Sequence, residues 1–236
     1  MTMIDANLHS LRQRIATACA GAQRDVTQVT LVAVSKTVGA GAVREAFAAG
    51  QTAFGENYIQ EAVEKIKALA DLPVQWHCVG PIQSNKTRLV ATHFDWVHTI
   101  DRLRIAQRLS EQRPLDLPPL QVCIQVNIDG ASTKAGVAPE DVPALAREVA
   151  RLPRLMLRGL MTIPEIAPNF IAQRAIHMRA AALFDQLCEA GTELDTLSMG
   201  MTGDLEAAIE AGSTMVRIGT AIFGERPVFS APARPQ

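Results

Sequence analysis

Apolar residues in this chain keep switching between two rhythms: short β-rich runs, then stretches where they recur three and four positions apart. Val29 to Lys36 is the first run, and Val43, Ala46 and Phe47 mark a helix that Gly50 stops. Ala53-Phe54-Gly55 precedes a helix carrying Ile59, Ala62, Val63 and Ile66. Val74 to Val79 precedes Leu89 and Val90, and Asp95 to Thr99 precedes Leu103, Ala106 and Leu109. Leu120 to Ile128 pairs with Val142, Leu145, Ala146 and Val149, and Leu155 to Ile163 with Ile176, Leu183, Phe184 and Leu187. Leu194 to Ser198 leads into Leu205 to Ile209, and Thr214 to Ile218 is the eighth run.

Eight strand–helix units in about 220 residues predict a parallel sheet, and their number predicts an α/β protein with a closed (β/α)8 TIM barrel. An open doubly wound sheet is the rival, but it usually has fewer strands. Residues 3 to 22, with Ile4, Leu8, Leu11 and Ile15 on one stripe, read as an additional N-terminal helix expected to pack across the barrel. The expected organisation is a single domain over residues 1–226, followed by a frayed tail over 227–236.

Composition narrows the classes. The 236 residues are 48% hydrophobic and 20% charged, with a net charge of −1. That balance suits one substantial core and favours neither nucleic acid nor an anionic membrane as partner. No run approaches the ~20 apolar residues of a membrane span. The N-terminus lacks a basic and then apolar leader. Cys19, Cys78, Cys123 and Cys188 are scattered, so reduced thiols and a cytoplasmic address are expected.

Chemistry concentrates at strand ends. Lys36 closes the run Val29-Thr30-Leu31-Val32-Ala33-Val34-Ser35-Lys36. It can be read as a lysine reaching to solvent. At the C-terminal end of a barrel strand, however, it faces the functional mouth, where apolar surroundings favour the neutral amine a Schiff-base nucleophile needs. Ser198-Met199-Gly200-Met201-Thr202-Gly203-Asp204 leaves strand seven, and Gly219-Thr220 leaves strand eight. Glycines admit close backbone approach, and hydroxyls and free amides donate to oxyanions. Loops after strands seven and eight are the recurrent phosphate site of such barrels. The plainer reading of the first loop is a capped turn with Thr202 or Asp204 as N-cap.

Arg217, at the end of strand eight, either pairs with a carboxylate or donates to the nitrogen of a bound pyridine ring. A cation there disfavours ring protonation and so makes a poorer electron sink. Asn57 either faces the mouth or caps the helix starting at Tyr58. His9, His77, His93, His98 and His177 show no close ligand pair, so no metal is assigned, and His77 reads as a satisfied core residue. Gly130 to Gly136, with Lys134, reads as a solvated turn, with a second anion site as the alternative.

These segments resemble the pyridoxal phosphate homeostasis proteins, which are related to the N-terminal barrel of alanine racemase. The resemblance covers residues 5 to 226. It rests on Ala33-Val34-Ser35-Lys36, Phe54-Gly55-Glu56-Asn57-Tyr58, His77-Cys78-Val79-Gly80-Pro81-Ile82-Gln83-Ser84-Asn85-Lys86, Gly159-Leu160-Met161-Thr162-Ile163-Pro164, Leu197-Ser198-Met199-Gly200-Met201, and Gly212-Ser213-Thr214-Met215-Val216-Arg217-Ile218-Gly219. Thr202 stands where the family often has serine, which keeps a hydroxyl.

The resemblance implies pyridoxal 5'-phosphate held on Lys36 as an internal aldimine, its phosphate on Ser198, Gly219 and Thr220, and its ring nitrogen at Arg217. Asn57 and Met199 would line the pocket. It implies cofactor homeostasis, with apo pyridoxal-dependent enzymes as possible recipients, and no assigned catalytic residue. A monomer is expected. Tyr58 is the sole tyrosine, and its place at a helix start suits packing better than the second base of a racemase. The alternatives are a small amino-acid racemase using Lys36 alone, and a phosphosugar-binding barrel without cofactor.

Overall fold

The computed structural model describes residues 2–131 and 133–224. Helix α1 (Met3–Gly21) starts at Thr2, whose hydroxyl accepts from the Asp5 amide at 3.2 Å. There follow β1 (Thr30–Val34), α2 (Ala40–Ala48), β2 (Ala53–Glu56), α3 (Ile59–Ala68), β3 (Gln75–Cys78) and α4 (Thr87–His93). Next come β4 (Trp96–Ile100), α5 (Leu103–Gln112), β5 (Leu120–Val126), α6 (Val142–Ala150), β6 (Leu155–Thr162) and α7 (Phe170–Glu189). The series ends with β7 (Thr196–Ser198), α8 (Leu205–Glu210), β8 (Met215–Ile218) and α9 (Thr220–Phe223).

Every strand runs parallel to the next, and β8 closes onto β1 through Thr30↔Met215, Leu31↔Val216, Val32↔Arg217 and Ala33↔Ile218. The (β/α)8 TIM barrel is therefore the fold. Helices cover the outside and side chains fill the inside, so the strands read as continuous apolar runs. All four residues of β2 and all five of β4 are buried. Six strands run one to three residues shorter than the apolar patterns suggest, while β2 is one residue longer and β4 is of the expected length. Residues 227–236 lie outside the described residues.

The leading helix does not lie across the barrel. Its stripe of Ile4, Leu8, Leu11, Ile15 and Cys19 is buried where α1 packs against α2, α8 and α9. It thus takes a seat in the outer ring between the helices that follow β7 and β1. Arg14 pairs with Glu206 of α8 at 2.5 Å, and Arg12 donates to the Ala49 carbonyl beyond α2 at 2.8 Å. The apolar stripe does most of the anchoring, since each fully buried Leu or Ile is worth about 1.5–3 kcal/mol and the Arg14–Glu206 ion pair is half-exposed.

Alternation along each strand sends every second side chain inward. Toward the N-terminal end the interior is apolar: Val32, Ala53, Trp96, Cys123, Met161 and Met215 pack together. The Arg158 guanidinium lies 4.9 Å from the Trp96 ring centroid. Further toward the mouth the interior turns polar, with His77 on β3, His98 on β4, Ser198 on β7 and Arg217 on β8 all buried. One more step reaches the C-terminal mouth.

Candidate functional site

Lys36 continues the inward parity of Val32 and Val34 but stands two residues past the end of β1, in a turn closed by the Val38 amide donating to the Ser35 carbonyl at 3.0 Å. Thr37, next in the chain, has φ +64°, a left-handed conformation that non-glycine residues rarely adopt. Its amide donates to Glu61 Oε1 at 3.0 Å, which holds the strained turn.

Beneath it sits a buried ionic group that the sequence reading missed. The Lys65 ammonium donates to Glu56 Oε1 at 2.6 Å and to the Ser35 carbonyl at 2.8 Å, and the Ser35 hydroxyl donates to the same Glu56 oxygen at 2.6 Å. Burial pushes the Glu56 carboxyl above its ordinary value, while the Lys65 charge and the two hydrogen bonds oppose it. Their effect is to fix the backbone of the residue before Lys36.

Lys36 opens into a cavity of about 160 Å³ lined by Val34, Asn57, Val79, Ile163, Met201, Thr202, Arg217, Gly219 and Thr220. Five of the seven site residues expected from the sequence therefore meet in one place: Lys36, Asn57, Arg217, Gly219 and Thr220. Asn57 does not cap α3; its Oδ1 is buried with no hydrogen-bond partner among the described residues. Close behind, the main chain of Gly80 passes so near Asn57 that a Cβ there would lie 2.3 Å from the Asn57 carbonyl oxygen.

Ser198 and Met199 stand behind the cavity wall. Both are fully buried and neither lines the cavity. Ser198 ends β7 facing the barrel interior, where its hydroxyl accepts from Arg217 Nη1 at 2.7 Å and lies 2.9 Å from His98 Nδ1. Met199 has the opposite parity and belongs to the core between strands and helices. Met201 and Thr202 take the lining positions instead.

Asp204 holds that loop, accepting from the Met201 amide at 2.6 Å and contacting His177 Nε2 at 3.0 Å. Burial works against the Asp204 charge, but these two hydrogen bonds outweigh it and keep the carboxyl below its ordinary value. It occupies the N-cap position of α8 but accepts no hydrogen bond from the helix amides there, so it staples the turn before the helix. Gly200 makes the turn possible: its φ is +98°, and a Cβ would lie 2.6 Å from that of Ala208.

Arg217 hydrogen-bonds to no carboxylate among the described residues. Besides Ser198 it donates from Nη2 to the Thr162 carbonyl at 2.9 Å. Burial draws its guanidinium down to about 10, partly opposed by Asp204, which still leaves it charged at neutral pH. The histidines do pair after all: His77 Nδ1 lies 3.0 Å from His98 Nε2, with the His77 ring stacked on Trp96 at 5.4 Å. Burial lowers His77 to about 3 and His98 well below its ordinary value, so both imidazoles are neutral.

The Lys134 loop is not a solvated turn. The Lys134 ammonium donates to the Ile163 carbonyl at 2.9 Å and lies 3.4 Å from Asp129, strapping the loop after β5 to the loop after β6. Ser132 of that segment lies outside the described residues. Among the described residues, no cluster of three or more His, Cys, Asp and Glu side chains could hold a metal, and no helix is long and apolar enough to cross a membrane. The cysteines are free, with Cys19, Cys78 and Cys123 buried and Cys188 half-buried.

Comparison with known proteins agrees with this architecture. Residues 6–227 match the model of the alanine racemase N-terminal domain. The chain is 58% identical over 233 residues to a pyridoxal phosphate homeostasis protein of Pseudomonas aeruginosa, covering 99% of this chain and 100% of that one. It is 55% identical over 230 residues to a protein of the same name from Vibrio cholerae, covering 96% and 98%. Among solved structures it is similar to PipY of Synechococcus elongatus PCC7942 with PLP bound: TM-score 0.81 and 36% identity, over 94% of this chain and 100% of that one.

Proposed function

Because the chain belongs to the alanine racemase N-terminal domain family, and within it to the pyridoxal phosphate homeostasis proteins, we propose that it binds pyridoxal 5'-phosphate at the barrel mouth and takes part in cofactor homeostasis. The observation that carries the reading is the meeting of Lys36, Arg217 and the loops after β7 and β8 in one small cavity. Its chemistry suits this ligand. An amine is at hand for an aldehyde, and hydroxyls of Thr202 and Thr220 with the Gly219 backbone are at hand for a phosphate. A guanidinium hydrogen-bonded to no carboxylate among the described residues suits an unprotonated ring nitrogen, and the orphaned Asn57 Oδ1 can accept from a ligand hydroxyl.

Each residue then has a role. Lys36 holds the cofactor's aldehyde carbon as a Schiff base, on a turn fixed by Glu56, Lys65 and Glu61. Arg217 orients the ring and, by keeping its nitrogen unprotonated, weakens it as an electron sink. When bound, the cofactor supplies an electrophilic carbonyl and a conjugated ring. Racemisation needs a base on each face, and among the described residues lining the cavity Lys36 alone suits that role; Tyr58 is exposed and outside the lining. We therefore read the protein as a holder and donor of cofactor, acting as a cytoplasmic single chain that serves apo pyridoxal-dependent enzymes, rather than as an enzyme.

The purified protein should show a visible absorption band that borohydride abolishes and Lys36→Ala lacks, with mass spectrometry placing the reduced adduct on Lys36. Material that stays colourless with excess pyridoxal phosphate sinks the binding reading. Turnover of L- or D-alanine or serine above ~1 s⁻¹, the low end for enzymes, overturns the non-catalytic part and favours a small racemase.

A further inference from the structure

Arg217, Ser198, His98 and His77 form a continuous hydrogen-bonded row through the barrel interior, linking β8, β7, β4 and β3 at 2.7, 2.9 and 3.0 Å. Its direction follows from counting donors and acceptors. The guanidinium can only donate, so the Ser198 oxygen accepts from it. The Ser198 proton then has one acceptor in reach, His98 Nδ1. That fixes the His98 proton on Nε2, from which it is donated to His77 Nδ1. His77 in turn carries its proton on Nε2, the one ring nitrogen of the pair without a partner among the described residues. Reversing the row strands two groups instead of one: the Ser198 proton has no acceptor and the His77 Nε2 lone pair has no donor. A proton added to either imidazole sets two donors face to face and brings a second cation toward Arg217.

We propose that His98 is a positioning residue for Arg217, acting through Ser198, with His77 as the terminus that locks its tautomer. The row explains why three polar side chains are kept in an otherwise apolar interior. It also explains how a guanidinium stays fixed with no carboxylate in hydrogen-bond contact among the described residues. The guanidinium donates to the neutral Ser198 hydroxyl and Thr162 carbonyl, and Asp204 acts on it only at longer range, so Arg217 keeps a positive charge at the cavity. The site thereby selects a ligand whose ring nitrogen is a lone-pair acceptor and disfavours a protonated ring. This selectivity rests on the pyridoxal phosphate reading; the row itself does not. The depressed affinity of both imidazoles for protons agrees with two neutral rings.

Two measurements decide it. In the ligand-free wild type, ¹⁵N chemical shifts should report both imidazoles neutral at pH 7 with the proton on Nε2; an Nδ1–H tautomer or a protonated ring overturns the row. In binding, Ser198→Ala and His98→Leu should each weaken pyridoxal phosphate affinity about tenfold, the worth of one hydrogen bond to a charged group. Each should also shift the visible band, and the double variant should be no worse than either, since the residues act as a unit. His98→Gln, whose amide can accept from Ser198 and donate to His77, should recover most of the loss. Affinity and spectrum unchanged in Ser198→Ala, or losses that add in the double variant, overturn the positioning role. If His98→Leu does not fold, Ser198→Ala and the tautomer measurement still decide. A wild type that binds no pyridoxal phosphate defeats the proposed function and, with it, the binding arm, while the tautomer arm judges the row on its own.

Discussion

Consider a titration of the ligand-free protein from pH 7.5 to pH 5. His77 is fully buried, and burial lowers it from the ordinary 6.5 to about 3. As the pH falls through 6.5 the unfolded chain takes up a proton at this ring and the folded chain does not. The unfolded state therefore binds more protons, and stability drops as the pH falls across the window between 6.5 and 3. At pH 5 the loss from His77 alone is about 2 kcal/mol, and it grows by about 1.4 kcal/mol per further unit. His98 is shifted in the same direction and adds to it. Against a total stability of about 5–15 kcal/mol, that is a large fraction. Urea midpoints at pH 7.5, 6 and 5 would measure it in the wild type and in His77→Gln, which cannot titrate. The variant should be less stable at pH 7.5 yet lose less on acidification, its slope below pH 6 being shallower by about 1.4 kcal/mol per unit. Identical slopes would refute the claim that His77 is buried neutral.

Lys65→Met should cost about 3–5 kcal/mol in urea unfolding, because it leaves Glu56 buried without its partner, whereas Glu56→Gln combined with Lys65→Met should cost much less. Gly200→Ala forces a side chain into a left-handed conformation against Ala208; a penalty of about 1–3 kcal/mol should lower the melting midpoint by several degrees. Arg217→Ala should retain some cofactor through the remaining anchors but bind it less tightly in equilibrium dialysis; unchanged affinity and spectrum would mean that the arginine does not touch the ring.

The barrel was legible because a strand buried on both faces leaves an unbroken apolar run, and eight such runs alternate with helical spacing. The seat of α1 was not, since an apolar stripe tells that a helix packs but not on what. At the site, Lys36 was readable from its place beyond Val34. The positions of Ser198 and Met199 were not readable from the resemblance that named them. Parity along β7 sends Ser198 into the interior with Thr196 and Met199 into the outer core, which leaves Met201 and Thr202 for the rim. The same parity, applied to His77 and His98 on the consecutive strands β3 and β4, would have put them side by side. Glu56 and Lys65 left no such trace: a glutamate at a strand end and a lysine mid-helix usually meet water. The Lys134 strap joins residues about 30 positions apart in loops, and no periodicity links them.

The seat of α1 has a consequence for synthesis. α1 precedes α8, on which it rests, by roughly 180 residues of chain. At ~5–20 residues per second that is a wait of roughly 10–40 s, during which α2 can shield the stripe of Ile4, Leu8, Leu11 and Ile15 on one flank only. That stripe is therefore what a ribosome-associated chaperone would find on a nascent chain. Ring closure, where α1 meets α8 and α9, is a step that waits until both have been made.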